Sequence, residues 1–162
     1  MVNKPANIFS ILLVLFLFSC DKAKDVSPIP SISLYQMVLV EASAPDVIPA
    51  ESKRLEILID FIDGDGDISF YEQDTVKNII YTLYKMENDT FKLVELENPY
   101  HWTIPFYEPK GTNKVVQGKI KTKFLYEDIA HFDTIKFDCY IFDRAYNKSN
   151  IISTPTIIVA DL

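Results

Sequence analysis

From residue 116 to residue 126 the chain alternates without interruption. Val116, Gly118, Ile120, Thr122, Phe124 and Tyr126 share one side of an extended segment, and Gln117, Lys119, Lys121 and Lys123 share the other. Successive side chains of a β-strand point to opposite faces, so this segment reads as a strand with one buried and one solvated side. The lysine row could serve an anionic ligand. A wet sheet face is the commoner use of such a row.

The same period recurs along the chain. Residues 31–40 form a first strand, and Leu55, Ile57, Ile59 and Phe61 alternate with Glu56, Leu58 and Asp60 in a second. Residues 78–86 and 91–96 make a hairpin around Glu87-Asn88-Asp89-Thr90, where Asn and Asp suit a turn. A short strand is expected over 101–107. Ile135, Phe137, Cys139 and Ile141 share the inner side of another over 135–142, and a last strand over 151–160 is broken by Pro155, which suits an edge. Residues 127–131 have room for one helical turn, and no segment after the leader sustains a helical period. Seven to eight short strands in roughly 130 residues predict an all-β fold, an antiparallel immunoglobulin-like β-sandwich over residues 31–162.

The N-terminus carries an address. Residues 8–18 (IFSILLVLFLF) are apolar but for one serine and follow a single cation, Lys4. The run falls short of the roughly 20 residues needed to span a bilayer and has the layout of a secretory signal peptide. It ends in Leu17-Phe18-Ser19-Cys20, which resembles a bacterial lipobox. That resemblance implies cleavage after residue 19 and lipidation of Cys20, and residues 20–30, polar with two prolines after the cysteine, read as a linker. The whole chain has 16 Lys+Arg against 23 Asp+Glu, net −7; without residues 1–19, which hold one Lys and no acid, it has 15 against 23, net −8. Such an acid excess argues against a nucleic-acid partner, which calls for a basic stripe. With Cys20 acylated, Cys139 has no disulfide partner and reads as a small buried hydrophobe.

The most chemically loaded segment is residues 60–72, DFIDGDGDISFYE. It resembles an EF-hand calcium loop. That resemblance puts Asp63, Asp65 and Asp67 at ligand positions, Gly66 at the sharp turn and Glu72 at the bidentate position. Phe61 stands where the first ligand belongs, and Asp60 is displaced by one residue. The flanks are not helical, so the expectation is a calcium loop set between strands. Ca²⁺ takes 6–8 hard oxygens, and glycines let a chain curl them round one point. Three alternate aspartates repel one another unless a cation joins them; the competing reading is a solvated Gly-Asp turn.

Near the C-terminus, Asp143-Arg144-Ala145-Tyr146-Asn147-Lys148-Ser149-Asn150 resembles the D-x-A-G-N-x-S turn before the last strand of many bacterial immunoglobulin-like modules, with Tyr146 at the usual Gly position. An immunoglobulin-like strand order would bring this turn and the acidic loop to one end of the sandwich. Asp143 and Asn147 could then add oxygens to the calcium site or simply cap their own turn. Together the lipobox, acidic loop and turn resemble small secreted lipoproteins of glycan-foraging Gram-negative bacteria. The resemblance implies lipid anchoring in the cell envelope, at the outer membrane.

Two function classes remain. The chain has two histidines, no G-x-S-x-G and no zinc-type Cys/His spacing, so the expectation is a non-enzymatic accessory or interaction domain with a calcium loop. The alternative is a carbohydrate- or protein-binding module using aromatic residues of segment 98–107, chiefly Tyr100, Trp102 and Tyr107, with a glycan or an envelope protein as partner. Core packing of those rings is the competing explanation.

Overall fold

A computed structural model describes residues 26–41 and 53–159. The expected leader, Cys20 and the first part of the linker lie outside the described residues. The order of elements is β1 (Ser31–Glu41), β2 (Lys53–Asp63), β3 (Ile79–Glu87), β4 (Thr90–Leu93), β5 (His101–Trp102), β6 (Val116–Leu125), a single-turn helix α1 (Tyr126–Ile129), β7 (Thr134–Ile141), β8 (Ile152–Ser153) and β9 (Ile157–Ile158). All pairings are antiparallel. One sheet runs β1-β2-β6; the other runs β4-β3-β7-β8, with β5 on β3 and β9 on β7. Consecutive strands β2 and β3 lie in different sheets, as do β6 and β7. That exchange gives the β-sandwich its two facing layers.

Period two produces the core. In β6, Val116, Ile120, Thr122 and Phe124 are buried while Lys119, Lys121 and Lys123 are exposed. In β7, Ile135, Phe137, Cys139 and Ile141 are buried, and across the gap β2 contributes Leu55, Ile57 and Ile59. Phe124 and Phe137 meet between the sheets with ring centroids 4.5 Å apart. The lysine row is a solvated face: Lys119 pairs with Asp60 and Lys121 with Glu56 on β2. Arg54 beside Glu56, with Lys121 added, holds that carboxyl below the ordinary range.

The hairpin turn is tight because Asn88 and Asp89 both take positive φ, 49° and 58°, a two-residue turn whose twist matches the strands. Three expectations change in detail. The strand over 101–107 pairs only at His101–Trp102, because the Ile104 N–H goes to the Asn78 side chain and Pro105 has none to give. β4 ends at Leu93. Pro155 divides the last strand into β8 and β9, which makes nine strands among the described residues rather than seven or eight. Among those residues no helix is long and apolar enough to cross a membrane.

Candidate metal centre

The loop from β2 to β3 and the loop from β7 to β8 meet at one end of the sandwich. The backbone N–H of Arg144 donates to the Asp67 carbonyl at 3.0 Å, and Arg144 Nε donates to the Ser69 carbonyl at 3.1 Å. Asn78, fully buried at the start of β3, donates to the carbonyls of Ile68 and Phe142 and accepts from the Ile104 N–H. Ser69 Oγ donates to the Tyr107 carbonyl and accepts its N–H, both at 2.9 Å, which draws in the segment before β6. Three loops are thus tied through backbone carbonyls, which fixes the backbone around Asp63 and Asp67, while Asp65 between them is exposed.

Asp63 is the last residue of β2 and has no exposed surface. Its Oδ2 accepts the Gly66 N–H at 2.9 Å, closing the turn. Gly66 has φ of 80°, and a Cβ there would meet the Lys114 carbonyl and the Pro109 ring at 2.4 Å. Only glycine takes that conformation in that space. Gly64 is needed for a different reason: a Cβ on it would lie 2.3 Å from the Val26 carbonyl oxygen and 2.4 Å from that of Ser27. The segment leading into β1 therefore passes directly over the acidic loop.

Asp63, Asp65 and Asp67 each place a carboxylate oxygen within 4.8 Å of the others. Asp63 Oδ1 and Asp67 Oδ1 are buried with no hydrogen-bond partner among the described residues. An unmet buried acceptor costs about 1–3 kcal/mol, more when charged. Desolvation, then the neighbouring Asp65, pushes Asp63 up to about 6; desolvation, then Asp143, pushes Asp67 up to about 6. These carboxylates resist carrying their charges side by side. A divalent cation between them would reverse that logic, since hard oxygens and concentrated negative charge are what Ca²⁺ takes.

The other expected ligands fall elsewhere. Asp143 is fully buried beside this group, and its two oxygens accept the backbone and side-chain N–H groups of Asn147 at 2.7 and 2.8 Å. Both residues thus cap the second loop, and Asp143 adds negative charge to the first. Asp60 is engaged with Lys119 on the sheet face. Glu72 is exposed in the turn closed by the Asp74 N–H on the Tyr71 carbonyl and lies outside the three-aspartate group. The EF-hand spacing therefore matches this loop over 63–67 and departs from it at both ends.

Tyr100 and Trp102 are half-buried and pack on the core: their rings stack at 6.0 Å, and each meets Phe124 edge-on at 5.1 and 5.0 Å. Burial pushes the Tyr100 hydroxyl up to about 12. Tyr107 is 56% exposed and sits with the acidic loop instead. The expected aromatic group is thus divided between core and surface. Asn78, Ser69 and Arg144 carry the loop architecture and have no motif-level signal of their own, apart from the place of Arg144 within the turn motif.

Comparison with known proteins adds no relatives: no family model matches the chain, and no match is found among the curated proteins or the solved structures.

Proposed function

We propose that the chain is a lipid-anchored envelope protein, tethered through Cys20. Its sandwich acts as a non-enzymatic accessory domain stiffened by Ca²⁺ at Asp63, Asp65 and Asp67. The observation that carries the metal reading is the pair of buried, unpartnered oxygens, Asp63 Oδ1 and Asp67 Oδ1, within a tight group of carboxylates. A bound cation would satisfy both oxygens and remove the repulsion. It would also lock the loops that Arg144 and Asn78 join, leaving a rigid end to present to a partner. The lipid reading is supported by the leader and by Cys20 at its boundary. Acyl chains contribute about 0.8 kcal/mol per buried CH₂, so two or more anchor stably.

The alternative, a glycan- or protein-binding module built on Tyr100, Trp102 and Tyr107, keeps only Tyr107 as an exposed ring. Two measurements test the main reading. Intact-mass analysis of the protein from its native membrane should find residues 1–19 absent and Cys20 acylated; a free Cys20 would remove the anchor. Thermal unfolding with and without Ca²⁺ should show stabilisation by the cation, and equal midpoints would remove the metal.

A further inference from the structure

Four of the large exposed hydrophobic side chains are rings carried at the acidic end: Tyr71 at 43%, Phe106 at 37%, Tyr107 at 56% and Tyr146 at 68%. They sit on the three loops that Ser69 and Arg144 tie together. The Tyr71 and Phe106 rings lie 5.7 Å apart. The Arg144 guanidinium lies 4.1 Å over Tyr71 and 6.0 Å from Phe106, with no carboxylate in ion-pair contact among the described residues. Tyr146 stacks on Phe142 at 5.6 Å and meets Phe70 edge-on at 5.7 Å. It holds this place at a φ of 63°, a left-handed conformation that costs a bulky residue about 1 kcal/mol. Four exposed rings gathered at one end give that end an apolar surface on which a partner can rest.

The position of the tether says what covers it. Val26 and Ser27 press on Gly64, so the chain leaves the sandwich at the acidic end. Six peptide steps separate Cys20 from Val26, and a fully extended chain spans roughly 20 Å over that length. The opposite end, at the Asn88-Asp89 turn, is the length of β3 away, roughly 27 Å at 3.4 Å per residue. A chain held by lipid at Cys20 can therefore bring the aromatic end to the bilayer, but its tether is too short to let the hairpin end face the membrane instead.

We propose that the loop end docks on the lipid surface that receives the N-terminal acyl chains. Tyr71, Phe106, Tyr107 and Tyr146 sit at headgroup depth, where amphipathic rings are favoured, and Arg144 faces the lipid phosphates. The proposal rests on acylation of Cys20 and adds to it the orientation of the domain. The cation of the acidic loop would offset two of the negative charges of Asp63, Asp65, Asp67 and Asp143 beside Arg144, which lowers the repulsion from an anionic surface.

The test uses the acylated mature protein in vesicles of phosphatidylethanolamine and phosphatidylglycerol, with a fluorophore on either Ala145→Cys or Asp89→Cys; both positions are exposed and Cys139 is buried. Headgroup-borne quenchers should quench the label at 145 several-fold more than the label at 89. The double change F106S/Y107S should cut that bias at least twofold, to the residual that the tether alone imposes, while the protein stays vesicle-bound; an unchanged bias would overturn the docking. Equal quenching at the two positions, with acylation verified by mass, would overturn the docking and leave the anchor standing. An absent acyl group would remove the anchor itself. Self-quenching of the label at 145 between molecules in detergent would mean that a second copy covers the patch, and would also overturn the proposal.

Discussion

The side-chain amide of Asn78 donates to the Ile68 carbonyl at 2.8 Å, and through it the start of β3 is bound to the acidic loop. The same side chain donates to the Phe142 carbonyl and accepts the Ile104 N–H, so one buried residue joins three loops. Asn78→Ala would leave three backbone groups unpaired in the interior. At about 1–3 kcal/mol for each unmet buried group, with partial relaxation, the expected loss is about 3 kcal/mol by urea unfolding, accompanied by weaker Ca²⁺ binding.

Gly64 and Gly66 fail differently when substituted. Gly66→Ala combines a left-handed φ with backbone crowding at 2.4 Å, and should lower stability by about 2 kcal/mol. Gly64→Ala collides with the Val26 and Ser27 carbonyls, so the segment before β1 must move. Hydrogen exchange should report faster exchange over 27–32 in that variant, with the strands β3 and β7 unchanged.

Burial pushes the Cys139 thiol up to about 12. Almost no thiolate exists at neutral pH, and the thiolate is the nucleophile. Native protein with an acylated Cys20 should therefore titrate no thiol with a disulfide reagent, and one after denaturation.

The pH dependence of the metal-free protein follows from Asp63 and Asp67. Both sit near 6 when folded against an ordinary 3.8, so between those values the folded state binds more protons than the unfolded state. Stability then falls as pH rises from about 4 to 6 and levels off above, the reverse of a salt-bridged carboxylate. Ca²⁺ competes with those protons, so its stabilising effect should be large near about pH 7.5 and small near about pH 5, as thermal melts in chelator and in Ca²⁺ would show.

Much of this architecture is legible in the chain because its strands bury one face. Val116 to Phe124 on β6 and Ile135 to Ile141 on β7 alternate cleanly, and register follows from the alternation. The pairing of the acidic loop with the Asp143 turn also follows from the strand order. What escapes the sequence is whatever depends on side chains meeting across long separations. Nothing local says that Asn78 takes the Ile104 N–H and so ends β5 early, or that both Asp143 oxygens accept from Asn147. Glu72 has the spacing of a ligand, yet the Tyr71–Asp74 turn carries it to the surface. Tyr100, Trp102 and Tyr107 are near in sequence, but the first two pack on the core while the Ser69 contact holds Tyr107 at the exposed acidic end.

Whether Asp63, Asp65 and Asp67 hold a cation is decided by calorimetric titration of Ca²⁺ into the native protein and into Asp63→Asn. The native protein should give saturable one-site heat. At a hundredfold excess over Kd the gain is about 2.7 kcal/mol, or about 10 °C in melting temperature, and Asp63→Asn should lose both while remaining folded. No heat and no shift in the native protein would contradict a bound cation.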